Sequence, residues 1–154
     1  MYVTQVTGRE VKDGQFSTDA QKSAAWGDKG QDLVNKYRVE KGLAPLEWLD
    51  SLHAQAFNHC QQMQTDGIIS HDGSDARWTE IQSWYVGVRG FAENVAYNMD
   101  DPIENAVETA VTQWIESPGH EANMTGDFNE AGMGVYQKEG TREVYLTQIF
   151  INNP

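Results

Sequence analysis

The stretch Trp114–Ile115–Glu116–Ser117–Pro118–Gly119–His120 stands where an amphipathic helix is predicted to end. Before it, apolar residues recur with the 3.6-residue period of one helix face, at Ile103, Ala106, Val107, Ala110, Val111, Trp114 and Ile115. Pro118 ends the helix because it lacks an N–H group and restricts the residue before it. His120 is therefore expected at a fixed point beside a helix end, where a titratable ring suits binding or catalysis.

Two polar signals lie upstream, Ser70–His71–Asp72–Gly73 and Ala92–Glu93–Asn94–Val95–Ala96. Glu93 stands in an apolar frame, so its carboxylate is expected either to have a partner or to face a cleft. If Glu93 meets His71 and His120, the three side chains have the donor types of a zinc site with an open position. The same set could transfer protons without a metal, or form hydrogen bonds that connect the sheet to the helices.

The composition restricts the function classes. A chain of 154 residues with 39% hydrophobic residues predicts one globular domain. The net charge of −12 argues against nucleic-acid binding and against anionic membrane surfaces. No transmembrane segment is predicted, and residues 1–30 lack the apolar stretch of a signal peptide, as a mature fragment also would. Cys60 is the sole cysteine, which predicts a buried, unreactive thiol.

The N-terminal half is predicted to contain an arm followed by two helices. Residues 1–17 show no sustained period, and a short helix is weakly indicated around Thr18–Trp26. Residues 1–28 are interpreted as an arm or linker, so the domain is expected to cover 29–154. One helix is predicted over Lys29–Lys41 with Asp28 as its N-cap, and a second from Glu47 to Thr65.

Residues 78–91 form an aromatic loop that could contact lipid, although packing on the core is favoured. One or two helical turns are predicted within Arg77–Tyr85, followed by a strand over Phe91–Tyr97.

The C-terminal half is predicted to place a helix before a hairpin. Asp101 is the expected cap of the helix before His120, and Glu121–Glu130 is expected to be a loop. Strands are predicted over Ala131–Tyr136 and Glu143–Ile151, joined by a turn at Lys138–Thr141. Because the last strand is apolar on both faces, helices should cover both sides of the sheet. The predicted fold class is α+β, an α/β/α sandwich with a small antiparallel sheet between helices.

Six ordered motifs resemble the CAP superfamily of cysteine-rich secretory, antigen five and pathogenesis-related proteins, in its bacterial SCP-like branch. The resemblance covers about residues 30 to 151. The motifs are Asn35-x-x-Arg38 with Gly42–Leu43–Ala44–Pro45–Leu46-x-Trp48, Ser70–His71–Asp72–Gly73, Glu93–Asn94–Val95–Ala96, Trp114–Ile115–Glu116–Ser117–Pro118–Gly119–His120 with Asn123, Gly132-x-Gly134, and Tyr145-x-Thr147–Gln148-x-Phe150.

The resemblance implies a sandwich with a central cleft, lined in the family by two histidines and two glutamates and associated with divalent metal. His71, Glu93 and His120 match three of these positions. At the position of the second glutamate the chain has Ser117, and Glu116, one residue earlier, would point about 100° away on a helix. Family members are typically secreted, which implies a secreted or cell-envelope location.

Three functional hypotheses follow. The first is a secreted or envelope binding module whose His71–Glu93–His120 cleft is able to hold zinc or another divalent cation. The second is a metal-dependent, peptidase-like hydrolase, in which His71 and His120 bind zinc and Glu93 orients or deprotonates its water. The third is a lipid or sterol carrier with a groove near the aromatic loop. The ligand is unknown, with a lipid or an envelope or host component as the expected classes.

Overall fold

The chain forms one four-stranded sheet with helices on both sides. The computed structural model describes Phe16, residues 18–100 and residues 102–154. In the described part, the elements are helices α1 (Asp19–Glu40), α2 (Asp50–Asp66), α3 (Ser74–Trp84), α4 (Ile103–Glu116) and α5 (Pro118–Met124), and strands β1 (Glu47–Trp48), β2 (Arg89–Met99), β3 (Glu130–Gln137) and β4 (Glu143–Asn152). The strand order is β1-β3-β4-β2. The short β1 pairs with β3 in parallel, and the other two pairings are antiparallel.

The central strand β4 is buried on both faces, as its sequence predicts. Val144, Leu146 and Phe150 belong to the core beneath α1, α4 and α5. On the opposite face, Tyr145, Ile149 and Ile151 belong to the clusters that pack against α2 and α3. The α/β/α sandwich is therefore confirmed.

Helix α1 starts ten residues earlier than predicted. The predicted cap, Asp28, lies inside the helix, and Thr18 is the N-cap, with its hydroxyl accepting a hydrogen bond from the Gln21 N–H at 3.0 Å. Glycines that indicated a loop instead permit close packing, because a Cβ at Gly27 would lie 1.9 Å from the carbonyl oxygen of Met133. The predicted arm boundary at residue 28 thus falls within a helix that packs on β3, whereas residues 1–15 and 17 lie outside the described residues.

Two other predicted boundaries are wrong in the N-terminal half. Glu47–Trp48 pairs with β3 as a strand, so the second helix begins only at Asp50. In place of one or two helical turns, α3 runs over three turns, from Ser74 to Trp84.

The predicted loop after His120 is helical over its first residues. Pro118 ends α4 as predicted, but it also occupies the first turn of α5, where its missing N–H has no cost. The N-cap of α4 is Pro102, and the predicted cap Asp101 lies outside the described residues.

Most aromatic residues between positions 78 and 91 pack against the core, which is the outcome that the sequence favoured. The rings of Trp78 and Phe91 stack at 5.6 Å between centroids and cover the core cluster beneath α3. Tyr85 packs there too and shares a 2.7 Å hydrogen bond with the Ser51 hydroxyl. Trp84 is the exception among these rings, since it is 40% exposed, and the neighbouring Val86 is fully exposed.

The single cysteine is buried, as predicted. Its Sγ donates to the Gly134 carbonyl oxygen at 3.4 Å and to the Thr147 hydroxyl at 3.3 Å. Burial raises the pKa of the Cys60 thiol to about 12, so the thiolate is absent at neutral pH.

Two polar side chains of α1 connect distant loops. The Asn35 amide accepts from the Leu46 N–H at 2.7 Å and donates to the Leu46 carbonyl at 3.0 Å. The Arg38 guanidinium, which is 3% exposed, donates to the carbonyls of Ala44, Met124, Gly126 and Phe128. The Asn35-x-x-Arg38 motif therefore fixes the loop before β1, and Arg38 also fixes the chain after α5.

Replacing Asp32 with asparagine is expected to stabilise the protein at pH 7 by about 1 kcal/mol. Asp32 is 4% exposed, and its Oδ1 has no hydrogen-bond partner among the described residues. Burial raises the pKa of this carboxyl, so the folded state gains stability as the pH falls and the group takes up a proton. The advantage of Asp32→Asn should therefore shrink as the pH is lowered through the pKa of folded Asp32 toward that of an unperturbed aspartate, about 4.

Urea unfolding of both proteins at several pH values measures this difference. Glu108→Gln, at an exposed position on the neighbouring helix α4, is the control and should change little. A gain for Asp32→Asn that is the same at low and neutral pH would contradict the explanation.

Candidate functional site

The structure brings Glu93 and His71 into direct contact. Glu93 lies on β2 with its side chain only 1% exposed, whereas His71 lies in the loop before α3 and is 55% exposed. Nδ1 of His71 is 3.2 Å from Oε1 of Glu93. Because a carboxylate only accepts, the His71 ring carries a proton on Nδ1, and no described hydrogen bond uses its Nε2.

Arg77 completes the surroundings of Glu93, and the sequence interpretation did not include it. From α3, its Nη2 donates to Oε1 of Glu93 at 2.9 Å, and its Nε donates to Oε2. This bidentate ion pair compensates the negative charge of the buried carboxylate. The apolar frame around Glu93 predicted a partner or a cleft, but nothing in the local pattern identified an arginine sixteen residues earlier.

His59 on α2 contacts Arg77 and helps to orient its guanidinium. Its Nε2 lies 2.6 Å from the Ser70 carbonyl oxygen, which can only accept, so the ring proton is on Nε2. Its Nδ1 then accepts from Nη1 of Arg77 at 3.2 Å. Burial is the main cause that lowers the pKa of His59, and the charge of Arg77 adds to it. The ring is therefore neutral in this arrangement and has one tautomer.

His120 lies on α5, close to Asn94 of β2. Nδ1 of its ring is 2.8 Å from the Ser117 hydroxyl, and its carbonyl accepts from the Asn94 amide at 3.1 Å. Asn123 donates to the Asn94 side chain at 2.9 Å and to the Glu93 carbonyl at 3.4 Å. Burial, and secondarily the charge of His71, lowers the pKa of His120. The two histidines are thus within electrostatic reach of each other.

The two positions near the expected second glutamate differ in their surroundings. Glu116 is exposed at the end of α4 and takes no part in the hydrogen bonds around Glu93. Ser117 both ends α4 and begins α5, and its hydroxyl contacts His120.

The donor set does not fit a zinc site with three protein ligands. Among the described residues, no three His, Cys, Asp or Glu side chains are arranged to bind a metal ion. Both oxygens of Glu93 already accept hydrogen bonds, two from Arg77 and one from His71. The zinc or other divalent cation expected from the sequence stays a prediction.

A polar groove of about 540 Å³ lies beside this cluster, between α2 and α3. His59 and Arg77 line it, together with the carboxylates of Asp66, Asp72 and Glu80. Three carboxylates therefore lie on the surface next to the histidine cleft.

Comparisons with known proteins assign the chain to a protein family. The profile of the cysteine-rich secretory protein family (CAP) matches residues 31–150. An uncharacterised membrane protein of Bacillus subtilis, YlbC, is 34% identical over 124 residues, which are 78% of this chain and 32% of the relative. A second uncharacterised B. subtilis protein, YkwD, is 27% identical over 83% of this chain and 48% of the relative. The chain thus spans less than half of either curated relative.

Solved bacterial structures share the fold. A cysteine-rich secretory protein from Staphylococcus aureus superposes with a TM-score of 0.67 at 21% identity, over 85% of this chain and 39% of that one. An extracellular SCP-domain protein from Bacillus anthracis gives 0.67 at 24% identity, over 94% and 45%. An outer surface protein from Borrelia burgdorferi gives 0.68 at 16% identity, over 80% and 90%.

No helix in the described residues is both long and apolar enough to cross a membrane. The family profile runs from the middle of α1 to Phe150 in β4 and includes all residues of the cleft. The chain therefore belongs to the cysteine-rich secretory protein (CAP) family.

Proposed function

We propose that the chain is an extracellular or cell-envelope binding module whose ligand enters the cleft between His71 and His120. The observation that carries this proposal is the hydrogen bonding of Glu93. Its Oε1 accepts from Arg77 and His71, and its Oε2 accepts from Arg77. The described hydrogen bonds of both histidine rings use Nδ1, so each Nε2 can bind a ligand. Similarity to extracellular and outer surface proteins supports the location.

The chemistry around the cleft favours a ligand rich in hydrogen-bond donors. In its neutral form His71 presents an acceptor at Nε2, and the adjoining groove presents the carboxylates of Asp66, Asp72 and Glu80. The net charge of −12 disfavours anionic polymers. A bacterial cell-wall polymer with many hydroxyl and amide N–H groups meets these requirements.

Co-sedimentation with purified cell-wall sacculi tests the proposal. The native chain should sediment with them, and His71→Ala and His120→Ala should each weaken binding about tenfold, the loss of one or two good hydrogen bonds. Arg142→Ala, exposed in the β3–β4 connection, is the matched control. Equal sedimentation of native and histidine variants, or none by the native chain, would refute binding in this cleft.

The same incubation separates binding from hydrolysis. A general base must be free to take a proton from water, and both Glu93 oxygens accept hydrogen bonds from Arg77 and His71. No release of soluble wall fragments is therefore expected. Release that disappears in Glu93→Gln would favour the peptidase-like hydrolase over the binding module.

A second candidate, acyl-lipid binding, is favoured by a different part of the molecule. The groove expected near the aromatic loop is replaced by packed rings, but two depressions of about 160 and 230 Å³ lie between α1 and α4. Leu33 lines both, with Trp26 and Val107 in one and Val111 and Ile115 in the other. Titration with palmitate, compared between the native chain and Leu33→Gln, tests this candidate. Heat of binding at two temperatures in the native chain that is lost in Leu33→Gln would support it, and no heat at either temperature would exclude it.

A further inference from the structure

We propose that Arg77 is the resident cation of the cleft, bound to Glu93 where a divalent metal would otherwise bind, so that the cleft takes up its ligand without a metal. The inference rests on the proposed function in that it concerns the same cleft. The inference adds that Glu93 cannot act as a metal ligand while the Arg77 guanidinium is bound to it.

The contacts around Glu93 disfavour a second cation at its oxygens, because three hydrogen bonds occupy three of its about four lone-pair sites. A zinc ion needs a carboxylate oxygen at about 2.0–2.2 Å. Nη2 of Arg77 is 2.9 Å from Oε1, and its Nε contacts Oε2, so the guanidinium covers both oxygens along one edge. Because arginine stays protonated at all physiological pH values, this charge is permanent and would repel an approaching metal ion.

Arg77 is also prevented from rotating away. Its side chain is 13% exposed. Nη1 donates to the Asp72 carbonyl at 3.0 Å and to Nδ1 of His59 at 3.2 Å. Displacing the guanidinium would break these bonds as well as both contacts to Glu93, and would leave a buried carboxylate unpaired. His59 is thus a positioning residue for Arg77, acting through the ring nitrogen that faces it.

The remaining metal donors are too few for tight binding. With Glu93 engaged and Glu116 exposed at the end of α4, the cleft offers the Nε2 atoms of His71 and His120. Zinc sites in proteins use three or four protein ligands. The native chain is therefore expected to bind zinc weakly, and removal of the arginine should release a third ligand.

Calorimetric titration with zinc chloride at neutral pH tests this. Arg77→Met should bind zinc at one site per chain at least about tenfold more tightly than the native chain, as expected for gaining one ligand. The gain should vanish when Glu93→Gln or His71→Ala is added to Arg77→Met. Arg77→Lys is the matched control, because it keeps a cation beside Glu93 and should bind zinc as weakly as the native chain.

A companion measurement does not depend on the folding of Arg77→Met. In the native chain, the NMR signal of the Arg77 Nε–H should keep its hydrogen-bonded position when zinc chloride is added, since Glu93 stays bound to Arg77 and is not a metal ligand. A shift of this signal to that of a free arginine on adding zinc, or an unchanged affinity in well-folded Arg77→Met, would overturn the inference. Circular dichroism and thermal melting establish that each variant is folded. Sedimentation with sacculi uses no added metal, so failure of the proposed function and failure of this inference are read from separate experiments.

Discussion

Arg38→Met is expected to destabilise the protein by roughly 4 kcal/mol, a large part of the stability of a domain of this size. The guanidinium of Arg38 donates to four carbonyls contributed by the loop before β1 and by the chain after α5. Methionine has a similar length but no donor, so buried acceptors lose their partners. Urea unfolding monitored by tryptophan fluorescence measures the loss.

Two further variants make this result specific. Lys36→Met lies on the exposed side of the same helix and should change stability by less than about 0.5 kcal/mol. Arg38→Lys keeps the charge but cannot reach four acceptors with one ammonium group, so an intermediate loss is expected. If Arg38→Met unfolded at the same urea concentration as the native chain, the four hydrogen bonds would not be stabilising.

Gly134→Ala is expected to cost about 3 kcal/mol, although it adds only one methyl group. A Cβ at this position would lie 2.5 Å from the Phe57 nitrogen and 2.7 Å from the Ala56 carbonyl carbon. These are backbone atoms of α2, so the whole helix would have to move away from β3. The melting temperature measured by circular dichroism should fall by about 6–12 °C, which is what such a loss produces in a domain of this size.

Gly119→Ala is the matched control for this substitution. Nothing lies within 4 Å of a Cβ built at Gly119, and alanine favours the helix that contains it. Its melting temperature should equal or slightly exceed that of the native chain. Similar melting temperatures for the two alanine variants would show that α2 can shift without cost.

Periodic patterns in the sequence predicted the elements that are buried in a regular way. The apolar stripe before Trp114 identified α4, and the two apolar faces of β4 identified the sandwich, because both patterns reflect which neighbour each side chain meets. The start of α1 was missed for the opposite reason. Gly27 serves a contact with Met133, which is far away along the chain, and within the local sequence it is indistinguishable from a loop glycine.

The site shows the same limit. His71, Glu93 and His120 were found because polar residues at helix ends or in apolar frames stand out locally. Arg77 and His59 lie on α3 and α2, and their roles follow from where these helices pack against β2. A buried carboxylate indicates that a cation is near, but only the tertiary structure shows which of the chain's eleven lysines and arginines it is.

Because β2 lies at the edge of the sheet, two hydrogen bonds to its backbone carbonyls have a second consequence. The Trp114 indole donates to the Val95 carbonyl at 3.0 Å, and the Asn123 amide donates to the Glu93 carbonyl at 3.4 Å. Since β2 has a neighbouring strand on one side only, carbonyls that accept from helix side chains are not available to a strand of another molecule. The helix ends that shape the cleft therefore also protect this half of the sheet edge against aggregation by strand addition.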